Sequence, residues 1–128
     1  MKTNYSTILL RLAALFALIG AFLGSHMAGS GSYAFRPIHA HLLVVGWLTL
    51  FAWAVYYKVF TPKLGILAKL HVYSAILGSI GLTAGMTIFI FKPVFLPSAM
   101  NTILYIVGGS ILLLSFLFFF LLTFTKEK

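Results

Sequence analysis

The chain has 128 residues, of which 62% are hydrophobic, 16% aromatic and only 8% charged, a composition far from that of a soluble domain. It has no cysteine and a single acidic side chain, Glu127, which excludes disulfides, thiolate-held iron–sulfur clusters, thioether-attached haem, paired-carboxylate catalysis and a hard-cation cage within one chain. The formal net charge of +8 sits near the ends of apolar runs rather than in one patch, so it reads as a topology signal and not as a nucleic-acid footprint.

Four apolar stretches, about 8–28, 38–60, 67–91 and 101–124, each approach or exceed the roughly 20 residues that cross a bilayer as a helix. The expected fold class is all-α: an integral membrane four-helix bundle, a single transmembrane domain over residues 1–128. The first stretch follows Lys2 and Arg11 and ends in small residues, an outline shared with secretion signals. It is expected to be retained as the first span, with Arg11 reaching back to the interface. Its exit, Gly24-Ser25-His26-Met27-Ala28-Gly29-Ser30-Gly31-Ser32, is rich in small residues.

Arg36-Pro37 opens the second stretch, since proline is well tolerated in a first helical turn. His39-Ala40-His41 follows at once, and Tyr56 and Tyr57 close the stretch where amphipathic rings collect at an interface. Thr61-Pro62-Lys63-Leu64-Gly65 is a short turn. The third stretch begins near His71 and carries Ser74, Gly78, Gly81 and Gly85, small residues at spacings that permit close helix approach. Phe91-Lys92-Pro93 and Pro97-Ser98 bracket the next turn, and the end of the fourth stretch is nearly all Leu and Phe, as expected of a lipid-facing surface.

With four crossings, Lys2, Arg11, Lys58, Lys63, Lys69, Lys126 and Lys128 fall on one side and only Arg36 and Lys92 on the other. Seven against two is a positive-inside pattern, so both termini are expected in the cytoplasm, and the location expected is a bacterial-type inner membrane crossed several times. The lipid bilayer is the first partner implied, with anionic headgroups near the cytoplasmic lysines.

The two imidazoles of His39 and His41 are the most informative side chains. Ionisable groups inside a bilayer are expensive and usually face a cavity, a partner or a bound ion. Neutral imidazole is also a common ligand for transition metals and haem iron. Two residues apart on a helix, the rings point about 200° from each other and serve different neighbours. Antiparallel folding puts His26, His39 and His41 at the outer end, with Met86 and Tyr105 at a similar level and Met100, Arg36 and Lys92 nearer the surface. Arg36 and Lys92 suit haem propionates. His71 starts its helix from the opposite side, about 20 Å along the axis by helical rise. An ordinary alternative exists for each: interfacial histidines bonded to water, a solvated loop histidine at His26, and methionines that merely pack.

His39-Ala40-His41, followed after four residues by Gly46-Trp47, resembles the haem-ligating helix of haem-copper oxidase catalytic subunits, particularly the C-type oxidases and the nitric oxide reductases. The run from His39 to Tyr57 with Lys58, together with His71, is also similar to small four-helix proteins described as oxidase subunit I-like, and more loosely to NnrS-like haem membrane proteins. The resemblance implies haem ligation by His39 and His41, the first position matching the high-spin and the second the low-spin haem. Those subunits carry many more helices, a further histidine cluster and proton-uptake carboxylates that this chain lacks. What the resemblance implies is therefore placement of haem rather than oxygen reduction; turnover stays open with a lean against it, and an enzyme here would be a haem oxidoreductase.

The leading expectation is a membrane protein binding one or two non-covalent haem b groups through His39 and His41, with His71, His26, Arg36 and Lys92 as further cofactor-binding candidates. Electron transfer with a respiratory carrier, or binding of a diatomic gas, would follow from the coordination number of the iron. A copper-handling protein using His39, His41, His26 and Met86 is the alternative, because imidazole and thioether suit copper. A non-catalytic assembly subunit of a respiratory complex is a third. Self-association into a homo-oligomer through the small-residue face of the third helix is expected as well. The topology is checked by fusing a reporter after Lys128: cytoplasmic activity is expected, and activity found only outside would move every site to the other face.

Overall fold

The computed structural model describes residues 4–125. Lys2, Lys126, Glu127 and Lys128, which enter the charge argument, lie outside the described residues. The chain is all-α, with four helices: α1 (Tyr5–Ser30), α2 (Arg36–Val59), α3 (Ile66–Phe91) and α4 (Ser98–Leu122), each long and apolar enough to cross a membrane. A multi-pass membrane protein follows, since only helices with every backbone group paired within the segment cross lipid without a closed barrel. The helices divide into two compact units, residues 1–59 and 60–128.

Helix ends differ from expectation by up to three residues, because hydropathy senses the membrane interior while caps decide where a helix starts and stops. Helix α1 starts at Tyr5, where the Asn4 side chain accepts a hydrogen bond from the Thr7 backbone N–H at 3.2 Å. It ends at Gly31, whose φ of 65° suits a residue without Cβ. Helix α4 starts at Ser98 rather than near residue 101, with Pro97 as its cap, since proline can precede a helix without leaving an unpaired N–H. Helix α3 ends at Lys92, held at φ 45°, a conformation that glycine normally supplies.

In the first unit α1 and α2 run antiparallel. Tyr5 meets Tyr57 with ring centroids 5.7 Å apart, Phe16 covers Gly46, and Gly20 lies beneath Leu42 and Leu43. The buried stripe of α1, Tyr5, Leu9, Ala13, Phe16 and Gly20, has the spacing of three to four residues that a helix requires. The buried stripe of α2 is different. Ile38, Leu42, Gly46 and Leu50 are all buried, at an unbroken spacing of four. In an α-helix four residues overshoot one turn by about 40°, so such a stripe would wind around the helix. Here residues Leu42–Thr49 form a wide π-helical segment, whose i→i+5 bonding turns the chain less per residue than α-helical bonding and so opposes the drift. Thr49 fits the wider turn by donating its hydroxyl to the Val44 carbonyl, five residues back, at 2.9 Å.

In the second unit α3 and α4 are antiparallel and very close. Cβ atoms added to Gly78 and Gly85 would come within 2.5 Å of the Leu112 backbone and 2.8 Å of the Tyr105 Cα. Gly108 faces Gly81 backbone to backbone. Between apolar helices in lipid there is little hydrophobic drive, so close van der Waals contact of this kind is what holds a hairpin together. The glycine face of α3 is thus used inside the hairpin. Ser79, Thr83 and Thr87 donate their hydroxyls to carbonyls of the preceding turn, so burying them leaves no donor unmet.

Gly108→Ala is expected to destabilise the hairpin by about 1–3 kcal/mol through overpacking against the Gly81 backbone. Gly109→Ala, whose new Cβ would find its nearest neighbour, Leu82 Cδ1, at 3.6 Å, is expected to be neutral or mildly stabilising. Unfolding of the two variants in mild detergent checks the contrast, and equal losses would contradict this packing.

Candidate functional site

The site is built from the start of α2 and the middle of α1. Arg36 and Pro37 form the first turn of α2, and His39 follows on the side that meets α1. Its Nδ1 lies 2.7 Å from the Gly20 carbonyl oxygen, across the helix pair. A carbonyl oxygen can only accept, so Nδ1 carries the proton, and in the neutral ring the lone pair resides on Nε2. The ring fits there because α1 has no side chain opposite it. A Cβ on Gly24 would stand 2.8 Å from His39 Cε1, which is closer than real Cβ contacts allow.

His41 is half-buried and placed differently. Its Nδ1 lies 2.9 Å from the Pro37 carbonyl, one turn back on its own helix. The same reasoning puts the proton on Nδ1 and the lone pair on Nε2. Both imidazoles are therefore held by a backbone carbonyl at Nδ1, which leaves Nε2 as the nitrogen that can ligate a metal when the ring is neutral. This is how ligating histidines are usually oriented: the hydrogen bond at one nitrogen sets the tautomer and raises the basicity of the other. The two rings make these bonds in different directions, one across to α1 and one along α2. They do not share a neighbour.

The wide segment Leu42–Thr49 starts immediately after His41. Short π-helical stretches inside α-helices occur frequently at functional sites, and this one lies between the histidine pair and the rest of α2. Its first residues press on α1: Leu42 Cβ is 3.4 Å and Leu43 Cδ2 2.7 Å from where a Cβ on Gly20 would stand. Gly20 and Gly24 thus form a small-residue seat that receives His39 and the start of the wide segment.

The other candidate residues fall in two groups. In the first unit, His26 is exposed on α1, and its ring meets Phe35 edge-on at 5.7 Å; Arg36 is exposed in the first turn of α2. In the second unit, His71 is fully buried, and its ring lies 5.3 Å from that of Phe119 at 38°. Met86 is buried. Lys92 caps α3 with an exposed side chain, and Met100 is 44% exposed. Tyr105 stacks on Phe89 at 5.3 Å. Among the described residues no three histidines or acidic groups converge closely enough to hold a metal ion.

Sequence reasoning missed three features. Gly20 and Gly24 are legible as a pair of glycines four residues apart, but they stand out less than the three glycines of α3. The wide segment was legible in the four-residue spacing from Ile38 to Leu50. Asn101, buried in the first turn of α4 with no hydrogen-bond partner for its Oδ1 among the described residues, carries no pattern that would have marked it.

Comparison with protein-family models, with curated proteins and with solved structures finds no match to the chain. The histidine geometry is therefore the ground on which a function can be argued. It has a direct check. In protein labelled with 15N at histidine, His39 and His41 are expected to show a protonated Nδ1; a bare Nδ1 at both would contradict the carbonyl tethers.

Proposed function

We propose that this chain is a haem b-binding integral membrane protein in which His39 and His41 supply axial ligands. The observation that carries the reading is the pair of tethers, Gly20 carbonyl to His39 and Pro37 carbonyl to His41. Each fixes one ring in the tautomer whose Nε2 can bind iron. The residues at the site fit the group. Each Nε2 lies on the untethered edge of its ring, the surroundings are apolar, and Arg36 stands one turn before His39 as a candidate for a propionate. Among the described residues there is no thiolate or side-chain carboxylate to compete for the metal.

Bound haem would supply one-electron chemistry or a site for a diatomic gas, according to whether a sixth ligand is present. The chain's own residues hold the imidazole rings, exclude water and offer a positive charge near the surface. The kinship proposed is with haem-copper oxidase subunit I, through the His39-Ala40-His41 helix. The location proposed is a bacterial-type inner membrane with both termini in the cytoplasm, supported by the seven-to-two division of basic residues. His71, His26 and Lys92 stay secondary candidates; for His71 to ligate, its contact with Phe119 would have to open.

Haem titrated into the purified apoprotein is expected to give a red-shifted Soret band that His39→Ala and His41→Ala each weaken. Gly24→Ala, which sets a methyl group against the His39 ring, is expected to weaken haem retention about tenfold, the equivalent of roughly 1.4 kcal/mol. Gly29→Ala, where an added Cβ meets nothing within 4 Å, serves as the neutral control. Haem uptake that is identical in all four variants would refute the assignment.

A further inference from the structure

The wide segment of α2 invites a question that the ligands alone do not answer: what keeps His39 facing α1. Leu50 lies eight residue steps beyond Leu42, and both side chains are buried, at 0% and 5% exposure. Eight residues of α-helix turn about 800°, which leaves the two ends about 80° out of phase. Seven residues turn about 700° and leave them within about 20°. The segment therefore holds one residue more than two α-helical turns can take, and the π-helical bonding of Leu42–Thr49 absorbs it.

On its C-terminal side α2 is anchored by Leu50, Trp53 and Tyr57, all buried, with Tyr57 against Tyr5. On its N-terminal side stand His39, bonded to Gly20, and Leu42, seated on the same glycine. If the segment were α-helical at its present length, residues 36–42 would be turned by about 80°. At the Cβ radius of a helix that displaces Leu42 Cβ by roughly 4–5 Å and takes the His39 ring off the Gly20 carbonyl.

We infer that the segment Leu42–Thr49 is a positioning element: it accommodates one surplus residue so that His39 reaches Gly20 while Leu50–Tyr57 stay packed on α1. The role rests on the haem reading for its purpose but not for its geometry. The phase of α2 against α1 holds whether or not a cofactor binds. Gly46 belongs to the same device, because Phe16 of α1 occupies the space of its missing side chain and holds the middle of the segment against its partner.

The absence of cysteine from the chain makes the phase measurable. A Cβ on Gly20 lies 3.4 Å from Leu42 Cβ, close to the separation of about 3.5–4.5 Å across a disulfide. The variant Gly20→Cys with Leu42→Cys is expected to crosslink readily under mild oxidation. Val44, 57% exposed, is the residue to remove, since its side chain packs least. Deleting it leaves seven residues in two turns, so the segment can become α-helical with its phase intact. The crosslink is then expected to persist, as is any haem spectrum in the same deletion made without the cysteines. Inserting an alanine after Val44 adds a second surplus residue, and the crosslink yield is expected to fall at least about tenfold, because the Cβ atoms leave disulfide range.

Circular dichroism keeps the comparison to chains that remain helical, and the deletion variant keeps the test decisive if the insertion fails to fold. Loss of the crosslink in the helical deletion variant, or its full retention in the helical insertion variant, would overturn the positioning role. If the parent protein takes up no haem, the proposed function fails, while the crosslinking pattern still decides this inference. If it does take up haem, loss of the Soret band in the insertion variant and its survival in the deletion variant, both made without the cysteines, separate positioning of the ligand from general loss of structure.

Discussion

The hydrogen bond from the His39 ring to the Gly20 carbonyl is the constraint around which the first helix pair is organised. A polar ring inside an apolar helix pair is tolerated only if its N–H finds an acceptor, and helix carbonyls are the acceptors at hand. To reach one on the facing helix the ring needs room, and Gly24 leaves it. To arrive on the right side of α2 while the far end stays packed, the helix must take up one extra residue, and the wide segment does so. Glycine seat, tethered ring and widened turn depend on one another in that order.

The second helix pair obeys a different constraint. Its histidine is buried beside Phe119, and its closeness comes from Gly78, Gly81, Gly85 and Gly108, where backbone lies almost on backbone. Such contact gives tight packing without polar groups, and buried hydroxyls on α3 return to their own helix. One pair thus carries the polar geometry from which a site can be argued, and the other is held by shape.

Fold class and helix number were legible in composition and in the lengths of the apolar runs, because the bilayer sets both. Helix ends were less so: Pro97 starts α4 and Asn4 starts α1 through capping geometry, to which hydropathy is blind. The histidine pair stood out because ionisable side chains are rare in lipid, and their opposed directions followed from helical periodicity. Their tethers did not, since a bond to a backbone carbonyl leaves no side-chain signature. The widened turn was present as the four-residue spacing of Ile38, Leu42, Gly46 and Leu50, but every residue around it is apolar as well, so the stripe did not separate from its background. The glycines of α3 were recognised as a packing face, while their partner within the chain was not.

The central claim is that a carbonyl-tethered imidazole offers its Nε2 to haem iron, and pulsed electron paramagnetic resonance of the haem-loaded ferric protein, labelled with 15N at histidine, tests it most directly. The account predicts strong hyperfine coupling from a directly bound histidine nitrogen, accompanied by the weaker coupling of a remote protonated one. Replacing His39 and His41 together should abolish both signals. A haem bound with no histidine coupling, or coupling that survives loss of both residues, would contradict it.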